Sequence, residues 1–455
     1  MTGWLGGETR AMFVGKGRRM SIYNAISFLG IFVIAFFAWL CSSNRKVVNW
    51  RVIAWGIGLQ LLFAFFIFVV PVGSKFFLFL NDVVVKVLDS AQAGTRFLFG
   101  RLALPPGTTN EAGETSLGYF LIFQGLSTIV FFASLMGVLY YLGVMPFFVR
   151  LFARVFAKSM RISGAEALSV SANIFVGVES SLVVRPHLAE MTISELGTII
   201  CAGMATIAST VLAVYVMFLQ NELPTIAGHL ISASFLAAPA AIVMAKLIIP
   251  ETGKPTTLGT EVKPYYERED NLIVAIINGA DSGLKLLGGI VTLLLALLGM
   301  LALVDLILGF AGGYLNRWFS LNLDWSLKTL LGYICYPFAA VLGVPPSDIF
   351  PVAKLIGERA VKTELYAYQH LSEMMAKGEL VSPRSAVIAS YALCGFAHFA
   401  SLAIFVGGTG ALAPSRLRDL SRIGLRALLA ATLATLMTAC VAGTFFTGGT
   451  ILLGR

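Results

Sequence analysis

Apolar positions in this chain come in long, uninterrupted blocks. Stretches near 22–41, 50–71, 118–146, 198–219, 230–249, 284–311, 385–411 and 426–446 each hold about twenty such residues, the length an α-helix needs to cross the roughly 30 Å hydrocarbon core of a bilayer. The pattern predicts about eight transmembrane helices. Between them lie shorter, interrupted apolar stretches near 165–190 and 345–372, which carry Asn173, Glu179, Lys354, Glu358, Arg359, Lys362 and Glu364. These are too polar to face lipid and read as re-entrant hairpins buried in protein, or as soluble loops. Amphipathic segments precede both, at Phe147–Ile162 and Ser326–Leu342, and read as interfacial helices. The polar, charge-mixed segment 250–275, with Pro255 and Pro264, divides the chain into two halves.

The halves repeat one another. His187-Leu-Ala-Glu-Met191 returns as His370-Leu-Ser-Glu-Met374, and Gly203-Met-Ala-Thr-Ile-Ala-Ser209 returns as Gly395-Phe-Ala-His-Phe-Ala-Ser401, in the same order and at similar spacing. Each pair occupies the same context of amphipathic helix, polar hairpin and apolar span. Duplicated membrane units of this kind place a substrate site near the midplane, where broken helices expose backbone groups. Glycine and alanine in the second string permit such a break, although small residues also serve plain helix packing.

Composition fits a lipid-embedded chain: 57% of residues are hydrophobic and 13% charged, against about a quarter charged in soluble domains. Apolar segments along the whole length argue against a lone signal peptide. The net charge of +9 reads as basic residues flanking spans rather than as a nucleic-acid surface. Clusters at Arg45–Arg51, Arg150–Arg161 and Arg416–Arg426 fall on one side, expected to be cytoplasmic, if both termini lie outside. Arg10, Lys16, Arg18 and Arg19 oppose that orientation, and Met20 is an alternative start that removes the conflict. The five cysteines form no CxxC pair and read as small packing residues.

Intramembrane carboxylates are costly and mark substrate or ion paths. Glu179 and Glu364, one per repeat, are the leading candidates; a loop glutamate paired with Arg185 or Lys362 is the plain alternative for either. Asn173 and Thr206 are neutral oxygen donors suited to sodium, or ordinary packing groups. His398 stands where the first repeat has Thr206, and it could contact substrate, titrate or pack. His187 and His370 fall at hairpin ends and read as interfacial. There is no G-x-x-x-x-G-K-[ST], no HExxH, no Cys/His metal spacing and no dinucleotide fingerprint, so neither ATP-driven transport nor an enzyme is suggested.

At Ser42-Ser-Asn-Arg-Lys46, Gly94-Thr-Arg-Phe-Leu-Phe-Gly100, Arg185-Pro-His-Leu188, Tyr391-Ala-Leu-Cys-Gly-Phe-Ala397, Ala413-Pro-Ser-Arg-Leu-Arg-Asp419 and Met437-Thr-Ala-Cys-Val-Ala-Gly443 the sequence resembles the concentrative nucleoside transporter family. The resemblance runs from about residue 24 and is most specific in the C-terminal half. It implies an all-α polytopic inner-membrane protein with two re-entrant hairpins in inverted repeats. It also implies a homotrimer, and an elevator-type mechanism in which a mobile domain carries nucleoside and cation past a trimeric scaffold. The corresponding divisions are an N-terminal extension over 1–20, scaffold spans over 21–146, a first repeat over 147–249, a loop and scaffold span over 250–325 and a second repeat over 326–455.

Residue roles follow by motif from the same resemblance. Glu364 and Ser401 would bind ribose hydroxyls, Phe396 would pack near the nucleoside and Val211 would contact the base. Asn173, Thr206 and the carbonyls of Val176 and Ile207 would form a sodium site. Two departures stand out. The first-hairpin tip reads Gly177-Val178-Glu179-Ser180 where the family usually reads Gly-Gln-Thr/Ser-Glu, and His398 replaces an asparagine near the ribose. Val178, Glu179 and Ser180 are therefore base-facing candidates, and base selectivity is expected to differ from the family's, since an unpaired buried group costs a few kcal/mol. The coupling ion is expected to be sodium, with a proton as the alternative through Glu179 or His398. Transport of another ring-bearing solute, or nucleoside sensing without flux, are the competing functions. No cofactor is expected.

Overall fold

The computed structural model describes residues 21–110, 113–265, 269–320 and 322–447, apart from the Val178 side chain. The expectations about residues 1–20 lie outside them. Among the described residues the chain is helical, with isolated bridges at Thr109–Thr115 and Ser163–Leu258 in place of strands. Among the described residues, seven helical segments are long and apolar enough to cross a membrane, the broken pair Ile193–Leu219 counted as one. The eighth expected span, 385–411, is divided at 394–398 into two helices, each too short to cross alone.

Three helices open the fold: α1 (Ile22–Leu40), α2 (Trp50–Phe68) and α3 (Pro71–Phe99). The Asn49 side chain caps α2 by accepting from the Val52 N–H at 3.3 Å, and Pro71 starts α3, as suits a residue without an N–H. Helix α3 is missing from the sequence reading. Lys75, Asp82, Lys86 and Asp89 interrupt its apolar run, yet Gly73, Phe77, Asn81, Leu88, Ala91 and Thr95 recur at helical spacing on its buried face.

A π-turn at Ile122–Leu126 leads into α4 (Thr128–Tyr141). This helix packs along α10 (Leu272–Phe319), which has 48 residues where the hydropathy suggested a span over 284–311. At 1.5 Å per residue α10 is roughly 70 Å long, about twice the hydrocarbon thickness. Glycines set the closeness of this pair. A Cβ on Gly279 would meet the Ser134 Cα at 2.7 Å, and one on Gly137 the Ala275 carbonyl oxygen at 2.7 Å.

The two repeats follow. The first comprises α5 (Val144–Met160), α6 (Gly164–Ala172) with the 3₁₀ arm Val178–Glu190, the pair α7 (Ile193–Ala205) and α8 (Ser209–Leu219), and α9 (Ile226–Ile248). The second comprises α11 (Leu327–Val341), the hairpin α12 (Ile349–Lys362) and α13 (Glu364–Ala376), the pair α14 (Pro383–Leu393) and α15 (Phe399–Leu412), and α16 (Leu417–Phe445). Both expected hairpins and both broken helices are present. Pro186 lies inside the 3₁₀ arm, where it removes a backbone donor.

Hydrogen bonds at the two ends of the molecule establish that the repeats are inverted. At one end, Ser43 N–H donates to Ile248 O at 2.9 Å, Gly164 N–H to Thr257 O at 3.0 Å, Arg51 Nε to Ser159 O at 3.1 Å and Arg416 Nη1 to Met191 O at 2.6 Å. The first hairpin enters from this end, and the three basic clusters gather there. At the other end, Arg384 Nε donates to Gly343 O at 2.8 Å and Nη2 to Tyr23 O at 2.9 Å, while Asn24 Nδ2 donates to Thr444 O at 2.9 Å. The second hairpin enters from there. The core lies between, along α7, α9, α14 and the second half of α16, whose residues are nearly all buried.

Candidate functional site

The tip of the second hairpin is a single residue. Helix α12 ends at Lys362, α13 begins at Glu364, and Thr363 joins them at φ 110° and ψ 160°. That region of backbone space is nearly confined to glycine. The turn points Glu364 into the protein, where it is 3% exposed. At the first position of α13 its carboxylate faces the positive end of the helix dipole.

Each carboxylate oxygen has a polar neighbour. Tyr215 Oη on α8 donates to Oε1 at 2.9 Å, and His398 Nε2 in the α14–α15 break lies 2.7 Å from Oε2. Glu364 thus joins the two broken helices, one from each repeat. Tyr215 stacks on Tyr368 of α13, with ring centroids 4.5 Å apart, and Tyr368 Oη donates to Ser390 O at 2.6 Å. Each Glu364 oxygen keeps a lone pair for a further donor.

His398 also caps a helix. Its Nδ1 accepts from the Ser401 N–H at 3.2 Å, at the start of α15. Ser401 Oγ lies within hydrogen-bond reach of the carbonyls of Phe396 and of His398, the latter at 2.7 Å; its single proton goes to one of them, and its oxygen remains an acceptor. Phe396 is half-buried within the same break. Val211 is buried in the first turn of α8, one turn before Tyr215.

The first hairpin and the first broken helix meet at a second polar spot. Ser209 N–H donates to Phe175 O at 3.1 Å, so the segment 173–177 lies against the 206–208 break. Asn173 is fully buried; its Nδ2 donates to Ser169 O at 3.1 Å, and its Oδ1 is without a partner among the described groups. Thr206 donates its hydroxyl proton to Ala202 O at 2.9 Å, so its oxygen presents lone pairs only. Helices α6 and α7 both end here, capped by Asn173 and Thr206, with Val176 and Ile207 close along the chain. Two helix C-termini, an orphaned amide oxygen and a committed hydroxyl form a donor set of oxygens at negative dipole ends, which fits a small hard cation.

The remaining candidates fall elsewhere. Glu179 is exposed, and its Oε2 folds back over Gly177, 3.4 Å from where a Cβ there would sit. Among the described ion pairs, none joins Glu179 or Glu364 to Arg185 or Lys362; Lys362 lies over the Tyr366 ring instead, 4.4 Å from its centroid. Ser180 is buried, and its Oγ has no partner among the described groups. The Val178 side chain lies outside the described residues. His370, read from sequence as interfacial, packs inside the second hairpin with Nδ1 2.6 Å from Oε2 of the buried Glu358. The sequence reading missed Tyr215: inside the apolar run Val211–Leu219 a tyrosine looks like packing, and only its hydroxyl distinguishes it.

Three family models match in order along the chain. "Na+ dependent nucleoside transporter N-terminus" covers 29–102, "Nucleoside recognition" 122–222 and "Na+ dependent nucleoside transporter C-terminus" 229–443. Nucleoside permease NupC of Helicobacter pylori is 35% identical over 430 residues, covering 94% of this chain and 99% of that protein. Mouse solute carrier family 28 member 3 is 37% identical over 434 residues, covering 92% of this chain. The chain spans 58% of the mouse protein's length. The structure of CNTnw in an inward-facing, substrate-bound state superposes with a TM-score of 0.82 at 34% identity, covering 93% of this chain and 98% of that one. A doubly substituted CNTnw in an outward-facing state gives 0.80 at 32% identity, with the same coverage. This multi-pass membrane protein belongs to the concentrative nucleoside transporter family.

Proposed function

We propose that this chain imports nucleosides by sodium symport. The reading rests above all on Glu364: a buried carboxylate, oriented by Tyr215 and His398, that keeps one lone pair on each oxygen. A vicinal diol offers two O–H donors at the matching spacing, and a ribose carries one. Val211, Phe396 and Ser401, on the segments that carry Tyr215 and His398, would contact base and sugar. Coupling follows from the second polar spot. Sodium held by Asn173, Thr206 and the carbonyls of Val176 and Ile207 would tie the first hairpin tip to the α7–α8 break. Tyr215, Glu364's partner, lies on the helix that starts at that break, so cation and substrate would stabilise one arrangement of the two repeats.

The movement we infer is an elevator. The hairpins and broken helices would travel as the mobile domain, and α1–α4 with α10 would form the scaffold of a homotrimer. The divisions 21–146, 147–249, 250–325 and 326–455 correspond to scaffold, first repeat, loop with scaffold span and second repeat. The basic end would face the cytoplasm of a cell whose inner membrane holds the protein. The exposed Glu179 and the missing tip amide support an altered base preference, toward purine or modified nucleosides.

Proton coupling is the second reading, favoured by the His398–Glu364 contact. Radiolabelled nucleoside uptake into proteoliposomes, with sodium and proton gradients varied independently, separates the two. Uptake that follows the sodium gradient supports the proposal. Uptake unchanged when choline replaces sodium, and lost when the pH gradient collapses, overturns it.

A further inference from the structure

We propose that His398 is a positioning residue whose ring must stay neutral, so that acid weakens substrate binding at Glu364; this rests on the nucleoside-transport reading above. Three contacts carry the argument. The Ser401 N–H points at Nδ1 at 3.2 Å, so Nδ1 accepts and bears no hydrogen. The ring proton is therefore on Nε2, which lies 2.7 Å from Glu364 Oε2. Ser401 Oγ in return accepts from the His398 backbone N–H at 3.3 Å, closing a capping box at the start of α15. The half-helix thus selects the tautomer, which keeps a ring N–H beside the carboxylate.

An imidazolium carries hydrogens on both nitrogens. A proton on Nδ1 would face the Ser401 N–H and the positive end of α15. The ring would have to swing away, which uncaps α15 and withdraws Nε2 from Glu364. The charged and titratable groups around the pair are few. Glu364 on α13 favours the imidazolium, but it faces Nε2, whose proton the neutral ring already carries. Tyr215 on α8 occupies the other carboxylate oxygen. Tyr368 and Arg359 lie within electrostatic range of Glu364, and Cys394, in the same break as His398, lies within range of Tyr215 and Tyr368. His398 is 4% exposed, so solvent does not screen these contacts.

This sets the protein apart from a proton-driven importer. A symporter that loads its proton at His398 binds substrate better in acid; the capping geometry makes acid an inhibitor. Asparagine and serine at this position would keep a cap, since both accept from the N–H three residues on, and neither titrates.

The test is the initial rate of radiolabelled uridine and adenosine uptake into proteoliposomes at a fixed sodium gradient. The pH is equal on both sides and is stepped from about 7.5 to about 5.5, the range over which imidazoles change charge. The wild-type KM is expected to rise roughly tenfold, as for loss of a hydrogen bond to a charged group, with a smaller change in maximal rate. His398→Asn is expected to give a KM that no longer follows pH; should that variant not fold, His398→Ser is read the same way. A pH-independent wild-type KM, or a full acid effect retained in a folded variant, overturns the inference alone. A wild-type protein that takes up neither nucleoside at any pH overturns it together with the transport reading.

Discussion

Gly395 lies against the carbonyl of Ala205: a Cβ on Gly395 would sit 2.7 Å from that oxygen. Gly395 also has φ 121°, a conformation L-residues rarely adopt. The two broken helices therefore cross backbone to backbone at their breaks, bringing the α7 C-terminus and His398 into one region. Gly395→Ala is expected to cost about 2–4 kcal/mol through combined strain and overlap. Gly407, in the interior of α15 with open space where its Cβ would be, is the control: Gly407→Ala should leave stability unchanged or raise it by about 0.5–1 kcal/mol. Thermal melts in detergent compare the two.

Tyr215 positions Glu364 through one hydrogen bond of 2.9 Å while its ring stacks on Tyr368. Tyr215→Phe keeps the stack and removes only the donor. Nucleoside KM is expected to rise roughly tenfold with little change in melting temperature. Equal losses of stability and affinity would instead indicate a packing role.

Much of this architecture was legible in the sequence. The two hairpins announced themselves because Asn173, Glu179, Glu358 and Glu364 cannot face lipid. The broken helices showed in paired glycine-rich strings, and the basic clusters fell on one end as their spacing implied. Other features depend on contacts that periodicity does not encode. Helix α3 hid behind five charges, Arg96 among them, that all fall on its open face. Tyr215 was lost among apolar neighbours. Histidine is not a common N-cap, so the His398–Ser401 capping box could be found only from the bond between them. Glu179 and Glu364 looked equivalent along the chain, but one is exposed and the other buried, because the first-hairpin tip turns its carboxylate back over Gly177.

Asn173 and Thr206 end two helices that meet at the first hairpin tip. Asn173→Ala removes the orphaned amide oxygen, and Thr206→Val removes the hydroxyl oxygen at similar volume. Each is expected to raise the sodium concentration for half-maximal uptake about tenfold, while nucleoside KM at saturating sodium changes far less. Uptake titrated with sodium at constant ionic strength provides the check.

Thr363 holds φ 110° at the second hairpin tip, and its hydroxyl is buried without a partner among the described groups. Glycine adopts this backbone without strain and carries no unpaired hydroxyl. Thr363→Gly is expected to stabilise the protein by about 1–3 kcal/mol. An unchanged or lower melting temperature would show that the hydroxyl has a native partner.

The most direct test of the whole account is sodium-driven nucleoside uptake by reconstituted wild-type protein and by Glu364→Gln. The amide keeps the shape but loses the charge and gives up one acceptor oxygen. Uptake should fall at least about a hundredfold, as for loss of charge-assisted bonds to two hydroxyls, with the melting temperature nearly unchanged. Folded Glu364→Gln that transports nucleosides at the wild-type rate and KM would contradict the account.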